Sequence, residues 1–202
     1  PLLSGQKTGW YYDHRMNRQR MQRYVKGLRV LDLFSYLGGW GVQAAVAGAS
    51  EVFCVDSSAP FLEQLHLNAA LNGVGEQVAT LRGDVFDALK ELRGAREQFD
   101  LIIVDPPAFI KRKKDHKAGL QAYRRVNEQA MRLLSRDGIL ISASCSHHLQ
   151  RDQLKQQLLA SSRHIDRNLI LLEEGHQGPD HPIHPAIPET EYIKCLTGRL
   201  LP

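Results

Sequence analysis

The stretch 28–48, LRVLDLFSYLGGWGVQAAVAG, constrains the fold of this chain more than any other. Its apolar start, Val30-Leu31, reads as a buried strand closed by Asp32. A loop with Gly38, Gly39 and Gly41 follows, then a small-residue helical pattern carrying Val42, Ala45 and Val46. Strand, glycine loop and helix in that order open a nucleotide-binding α/β fold, whose ligands sit beyond the carboxyl ends of the strands. A dinucleotide site wants G-x-G-x-x-G directly after the strand, so that amides and a helix N-terminus can hold a pyrophosphate. Here Phe34 and Tyr36 fill the turn and the glycines come late, which argues against a dinucleotide oxidoreductase.

An acid at a strand tip suits a ligand with positive charge and no phosphate. S-adenosylmethionine, with a sulfonium and an α-ammonium, meets that description. The expected cofactor residues on this loop are Asp32, Phe34, Ser35, Tyr36 and Gly38. Glu51–Asp56 reads as a second strand ending in an acid, and Asp56 follows Asp32 at close to the roughly 20-residue offset that sets a carboxylate on ribose hydroxyls. Ser57, beside it, is counted with the cofactor residues. Cys54 in mid-strand reads as core. Ser58 and Pro60 start a helix that Asn72-Gly73 stops. A third strand over 78–81 leads to Gly83-Asp84-Val85-Phe86. Asp84 either caps a helix over 88–92 or meets an adenine amino group, with Val85 or Phe86 against the ring. The repetition of acids at three successive strand ends favours the second.

Phe99–Val104 is the most hydrophobic strand, hence central, and runs into Asp105-Pro106-Pro107-Ala108-Phe109. Two prolines take the backbone rigidly out of the sheet, so that Asp105 and Pro106 can face a planar base. The basic run 111–117 follows, where phosphate contact competes with plain solvation. An amphipathic helix over 123–134 and a turn at Asp137-Gly138 precede a strand over 139–144. At its end stand Cys145-Ser146-His147-His148. A cysteine there is partly exposed and available as a thiolate, whereas the two histidines lack further ligands at metal-binding spacing, so no metal is expected. A helix over 153–160, a segment at 169–172 and a proline-rich stretch lead to the strand-like tail 192–196, with Cys195, His181 and His184 as structural or rim residues.

The first residues combine bases and aromatics: residues 10–12 suggest a short strand or hairpin, and a helical pattern runs from Asp13 to Gly27. Lys7, Arg15, Arg18, Arg20 and Arg23 suit either a solvated helix face or nucleic-acid contacts. At 202 residues one domain is the default, without internal repeat. The net charge of +4 leans towards a polyanionic partner. No signal peptide or apolar run of about 20 residues is present, and three widely spaced cysteines fit a reducing cytoplasm.

With Asp32 to Gly39, Asp56, Asp84, Asp105 to Phe109 and Ser144-Cys145-Ser146 in this order, the chain resembles the class I S-adenosylmethionine-dependent methyltransferases. The closer resemblance is to the bacterial 23S rRNA (cytosine-5)-methyltransferase family, supported by Lys7-Thr8-Gly9, Asp13-His14-Arg15 and the segment His181-Pro182 to Lys194. The resemblance implies a Rossmann-like, seven-stranded, mostly parallel sheet with helices on both faces and the last strand antiparallel. It implies a catalytic domain over 1–202 with 1–27 as a basic, aromatic extension. Such proteins commonly carry an N-terminal RNA-binding PUA domain, so a fragment of a longer protein is expected. Leu37 departs from a threonine common in that glycine loop, and the proline motif has no cysteine of its own.

The resemblance also implies a chemistry. Cys145 attacks carbon 6 of cytosine, carbon 5 takes the methyl group, and a base then removes the carbon 5 proton as the thiol leaves. Asp105 bonds the ring nitrogen. The base must be unstacked into the pocket. Asp32 holds the cofactor's ammonium or nearby backbone, Asp56 the ribose, Asp84 the adenine, and Arg15 the carboxylate. The partner is 23S rRNA, with no membrane; oligomerisation is left open. An rRNA N-methyltransferase without a thiol nucleophile and a non-catalytic RNA-binding module are the alternatives.

Overall fold

A computed structural model of the protein describes residues 9–202; Lys7 and Thr8 lie outside the described residues. The chain runs α1 (Arg15–Met21), β1 (Arg29–Leu33), α2 (Gly41–Val46), β2 (Glu51–Asp56), α3 (Ala59–Leu71), β3 (Val78–Arg82) and α4 (Val85–Gly94). It continues as β4 (Phe99–Val104), α5 (His116–Met131), β5 (Leu134–Ser144), α6 (Arg151–His164), β6 (Asn168–Gly175) and β7 (Lys194–Leu201). The seven strands form one sheet in the order β3-β2-β1-β4-β5-β7-β6. β1 to β5 are mutually parallel, and β7 runs against both β5 and β6.

Two apolar layers sandwich the sheet, and strand alternation explains both. Leu31, Leu33, Ile102 and Val104 point to the layer built with α4, α5 and α6. Val30, Val52, Leu101 and Ile103 point to the other, built with α1, α2 and α3. A strand covered on both faces needs apolar residues at every position, which is why β4 reads as the uninterrupted run FDLIIV. The expected α/β architecture with helices on both faces is therefore the one observed.

Several boundaries differ from the expectation. Residues 10–12 form no strand; side chains hold them instead, the Tyr11 carbonyl accepting from Arg18 Nη1 at 2.9 Å and the Tyr11 ring meeting that of Tyr36. The N-terminal helix is only Arg15–Met21, because turns at 20–24 lead into Gly27, whose φ of 76° admits little but glycine. α5 starts at His116, inside the basic run, and stops at Met131. Asp137 (φ 60°) and Gly138 are not a turn before β5 but an irregularity within it, where the register with β4 shifts. β1 continues through Asp32 to Leu33.

At Gly41 the backbone of α2 comes so close to the sheet that a Cβ would stand 3.1 Å from Asp32 Oδ2 and 3.2 Å from Val52, and against the buried Cys54 sulfur. We predict that Gly41→Ala costs about 1–3 kcal/mol by overpacking, a fall of roughly 2–4 °C in Tm per kcal/mol. Thermal unfolding checks it; an unchanged Tm would show that α2 is free to shift.

Candidate active site

Topology locates the site before any side chain is considered. β1 has β2 on one side and β4 on the other, so the winding direction reverses there and a crevice opens beyond the carboxyl ends of β1 and β4. The loops 34–41 and 105–110 border it.

Asp32 lies on the α2 side of β1, like Val30, and is fully buried. Its Oδ2 accepts the Gly41 N–H at 2.9 Å, while Oδ1 has no partner. Burial pushes its pKa up to about 8, against the Gly41 hydrogen bond and Arg18, with the charges of Asp105 and Asp56 adding to the rise. The expectation of an acid exposed at the strand tip is thus corrected. β1 runs one residue further, and the carboxyl is turned inward to hold the glycine-loop backbone.

The loop itself is strained. Phe34 and Tyr36 have φ of 64° and 50°, positions that cost non-glycine residues about 1–3 kcal/mol each. Between them Ser35 is buried with its Oγ unpartnered. Gly38, at φ 82°, has Leu65 and Val42 only 2.8 Å from where a Cβ would stand. Asp56 pins the loop: Oδ2 accepts the Tyr36 N–H and Oδ1 the Ser58 N–H, both at 2.9 Å. Ser57 beside it is exposed. Strained bulky residues around orphaned polar atoms fit a loop shaped for a polar, ring-bearing ligand such as S-adenosylmethionine.

The remaining expected residues divide. Asp84 is the N-cap of α4, accepting from the Phe86 N–H at 2.8 Å. Val85 is packed in the core, and half-buried Phe86 carries the Arg125 guanidinium 4.7 Å over its ring. Arg15 pairs with Asp180 at 3.0 Å. Asp105, by contrast, is gripped at the crevice: Trp40 Nε1 donates to its Oδ2 at 2.9 Å, and His14 Nε2 stands 3.6 Å from Oδ1. Pro106 is buried behind it. The acids whose charges bear on Asp32 are Asp105 and Asp56.

Cys145 is half-buried just beyond β5. Since Val104 pairs with Ser142, the residues after β4 and β5 leave the sheet side by side. Side chains stitch these loops: Tyr123 OH meets Ser144 Oγ at 2.8 Å, and Ser146 Oγ donates to the Ile110 carbonyl at 2.7 Å. Tyr11 and Tyr123 both feel the charges of Cys145 and Asp105; burial is the main cause of their raised pKa values, to about 12 for Tyr123. Lys194, at the start of β7, donates from Nζ to the Ser146 carbonyl at 2.8 Å and to that of Tyr192 at 3.1 Å. Burial first, then the charge of Arg151, lowers its pKa to about 8, and the charge of Cys145 works the other way.

Sequence reasoning missed His14, Arg18, Trp40, Tyr123 and Lys194. Asn17 fixes the first. Its Nδ2 donates to the His176 carbonyl and to His14 Nδ1, both at 3.1 Å, while its Oδ1 accepts from Arg20 at 3.2 Å. The His14 ring proton therefore sits on Nε2, aimed at Asp105. Buried Arg18 answers Asp105, Asp13 and Asp32; burial lowers its pKa and those acids oppose the fall. In the sequence His14 and Lys194 stood only within segments that carry the family resemblance, and Arg18 only among the bases of the N-terminal helix.

Residues 2–186 match the family described as S-adenosylmethionine-dependent methyltransferase. The chain is 37% identical over 201 residues to the ribosomal RNA large subunit methyltransferase I of Erwinia tasmaniensis, covering 99% of this chain and 51% of that protein. It is 38% identical over 199 residues to the protein of the same name from Aeromonas salmonicida, covering 98% and 50%. The chain thus spans about half the length of these relatives. The crystal structure of SMU.776 complexed with SAH superposes with a TM-score of 0.86 at 25% identity, over 97% of this chain and 51% of that one. TrmN from Thermus thermophilus, at TM-score 0.65 and 20% identity over 92% and 48%, shares the fold.

Asp32 carries a pH consequence. Between the ordinary carboxylate pKa of 3.8 and about 8, the unfolded chain has released a proton that the folded one retains, so this group lowers stability as pH rises. An asparagine retains the carbonyl acceptor for Gly41 and removes the titration. We predict that the stability of Asp32→Asn relative to wild type increases from pH 5 to pH 8, by up to about 1.4 kcal/mol per pH unit. Urea unfolding at both pH values checks it; parallel curves would contradict a neutral, buried Asp32.

Proposed function

Because the chain belongs to the S-adenosylmethionine-dependent methyltransferase family, we propose that it methylates carbon 5 of a cytosine in large-subunit rRNA, with Cys145 as nucleophile and Asp105 at the ring nitrogen. The relatives' names and the +4 charge support the RNA substrate. The observation that carries the choice of atom is the half-buried Cys145, on the loop after the strand that neighbours the one leading into Asp105, with both charges reaching Tyr11 and Tyr123 and the loops stitched by Tyr123 and Ser146. An N-methyltransferase has no use for a thiol there.

Bound S-adenosylmethionine supplies an electrophilic methyl group on a sulfonium. Asp32, through the Gly41 backbone, and Asp56, through Tyr36 and Ser58, hold the loop it docks on. Asp84, Phe86 and Arg15 are carried as its outer contacts. The Cys145 thiolate forms a bond to carbon 6, and the electrons of the 5,6 double bond make carbon 5 nucleophilic. Asp105 delivers a proton to the ring nitrogen, where negative charge builds, and recovers it as the thiol leaves; the Trp40 N–H keeps its carboxyl aimed, with the His14 ring 3.6 Å away. Once carbon 5 carries the methyl, a base removes its proton, the double bond re-forms and the carbon–sulfur bond breaks, returning the thiol. Lys194 holds the Ser146 carbonyl next to the sulfur and places a cation there, the environment a nucleophilic thiol requires. rRNA as substrate sets the protein in the cytoplasm.

The test uses labelled S-adenosylmethionine, protein-free large-subunit rRNA and digestion to nucleosides. Label is expected in 5-methylcytidine, and Cys145→Ala should reduce transfer by roughly 10³-fold or more. RNA carrying 5-fluorocytosine, which has no carbon 5 proton to lose, should trap the wild type as a covalent adduct. Label in a methylated guanine or adenine, surviving in Cys145→Ala, would establish the N-methyltransferase instead. Calorimetry without cofactor binding would leave only an RNA-binding module.

A further inference from the structure

A second cleft, of about 420 Å³, lies beside the candidate nucleophile and has no part in the chemistry above. Lys113, His116, His147, His148, Gln150 and Gln153 line it. The wall contains no carboxylate. His116 and Gln153 engage each other: His116 Nε2 lies 3.1 Å from Gln153 Nε2 and 3.3 Å from Gln153 Oε1, which also accepts from the Gln150 N–H at 3.0 Å. His147 and His148 touch only each other among rings, 5.3 Å apart, and neither has a hydrogen-bond partner among the described residues. Lys113 has no ion pair among them either.

In sequence Lys111, Lys114 and Lys117 neighbour the lining residues, while the two nearest acids are occupied: Asp115 pairs with Arg112 at 2.9 Å, and Asp152 stands 3.9 Å from Lys155. Open donors on a wall free of carboxylates select an anion. A metal ion does not fit, since no three His, Cys, Asp or Glu side chains converge among the described residues.

We propose that this cleft holds a backbone phosphate of the RNA strand, beside the nucleotide delivered to Cys145. Lys113 supplies the charge and His147 and His148 the hydrogen bonds. The two histidines follow Cys145 by only two and three residues, so a phosphate held here fixes how far the flipped base reaches towards the sulfur. The proposal rests on the reading of RNA as substrate, not on which atom is methylated.

Fluorescence anisotropy with a labelled single-stranded RNA, titrated across salt concentrations, tests it. Lys113→Ala should weaken binding roughly 3- to 10-fold at about 0.1 M salt and reduce the slope of log affinity against log salt by about 0.7. His147→Ala/His148→Ala should weaken binding, while calorimetric affinity for S-adenosylmethionine, which reports that the fold is intact, stays at the wild-type value. Arg136→Ala removes an exposed cation near the opposite end of β5 and should leave the affinity unchanged. Equal losses in Lys113→Ala and Arg136→Ala, or no loss in Lys113→Ala, would overturn the phosphate site while leaving RNA as substrate. Absence of RNA binding by the wild type would overturn the substrate reading itself.

Discussion

One buried hydrogen bond, from the Gly41 amide to Asp32, joins the first strand to the first helix and so sets the shape of everything around the crevice. It works only because residue 41 has no side chain and because residue 32 stands one place before the strand ends. The energetic price is a carboxyl kept from water, held neutral near pH 7 by burial. The return is a glycine loop whose conformation is set from beneath, with Phe34 and Tyr36 in strained positions and Asp56 holding the Tyr36 amide. Strain of this kind persists only where the surroundings over-determine it.

Around that anchor, charge is arranged in two groups. The charges of Asp56 and Asp105, from the ends of β2 and β4, bear on Asp32 in β1, and Arg18 offsets Asp32 and Asp105. Cys145, Lys194 and the tyrosines 11, 123 and 192 form the other group, beyond β5. Asp105 belongs to both, since its charge reaches Asp32 as well as Tyr11 and Tyr123. It is the residue through which the expected cofactor side and the expected base side are in electrostatic contact.

Much of the fold was legible because buried parallel strands write themselves as apolar runs. Glu51–Asp56 and Phe99–Val104 were read with the bounds they have. The start of β5 was not legible, because Asp137 and Gly138 carry turn chemistry yet sit inside a strand that tolerates an irregularity. Residues 10–12 were misread for a different reason. Aromatic runs favour strands locally, but Trp10 lies under the Arg18 guanidinium, and Tyr11 packs edge-on to Tyr36 at 5.3 Å. At the site, acids following apolar runs announced themselves, although Asp84 serves as a helix cap and Asp32 faces inward. The roles of His14 and Lys194 gave no local signal, since each depends on a partner distant in sequence: Asp105, on the loop after β4, for His14, and Ser146, 48 positions earlier, for Lys194.

The two segments that close the crevice also touch each other. Tyr192 OH donates to Asp13 Oδ2 at 3.1 Å, Gly178 N–H to the Asp13 carbonyl at 3.1 Å, and Asn17 to the His176 carbonyl. The consequence is one of timing. A nascent chain can pair β1 to β5 while β7 is still in the ribosome, yet Lys194 cannot steady the sulfur-bearing loop, nor the region around Asp13 find its long-range partners, until synthesis has passed residue 194. Contacts of such sequence separation form late. The loop that bears Cys145 thereby gains this hydrogen bond only once the strand carrying Lys194 has been made.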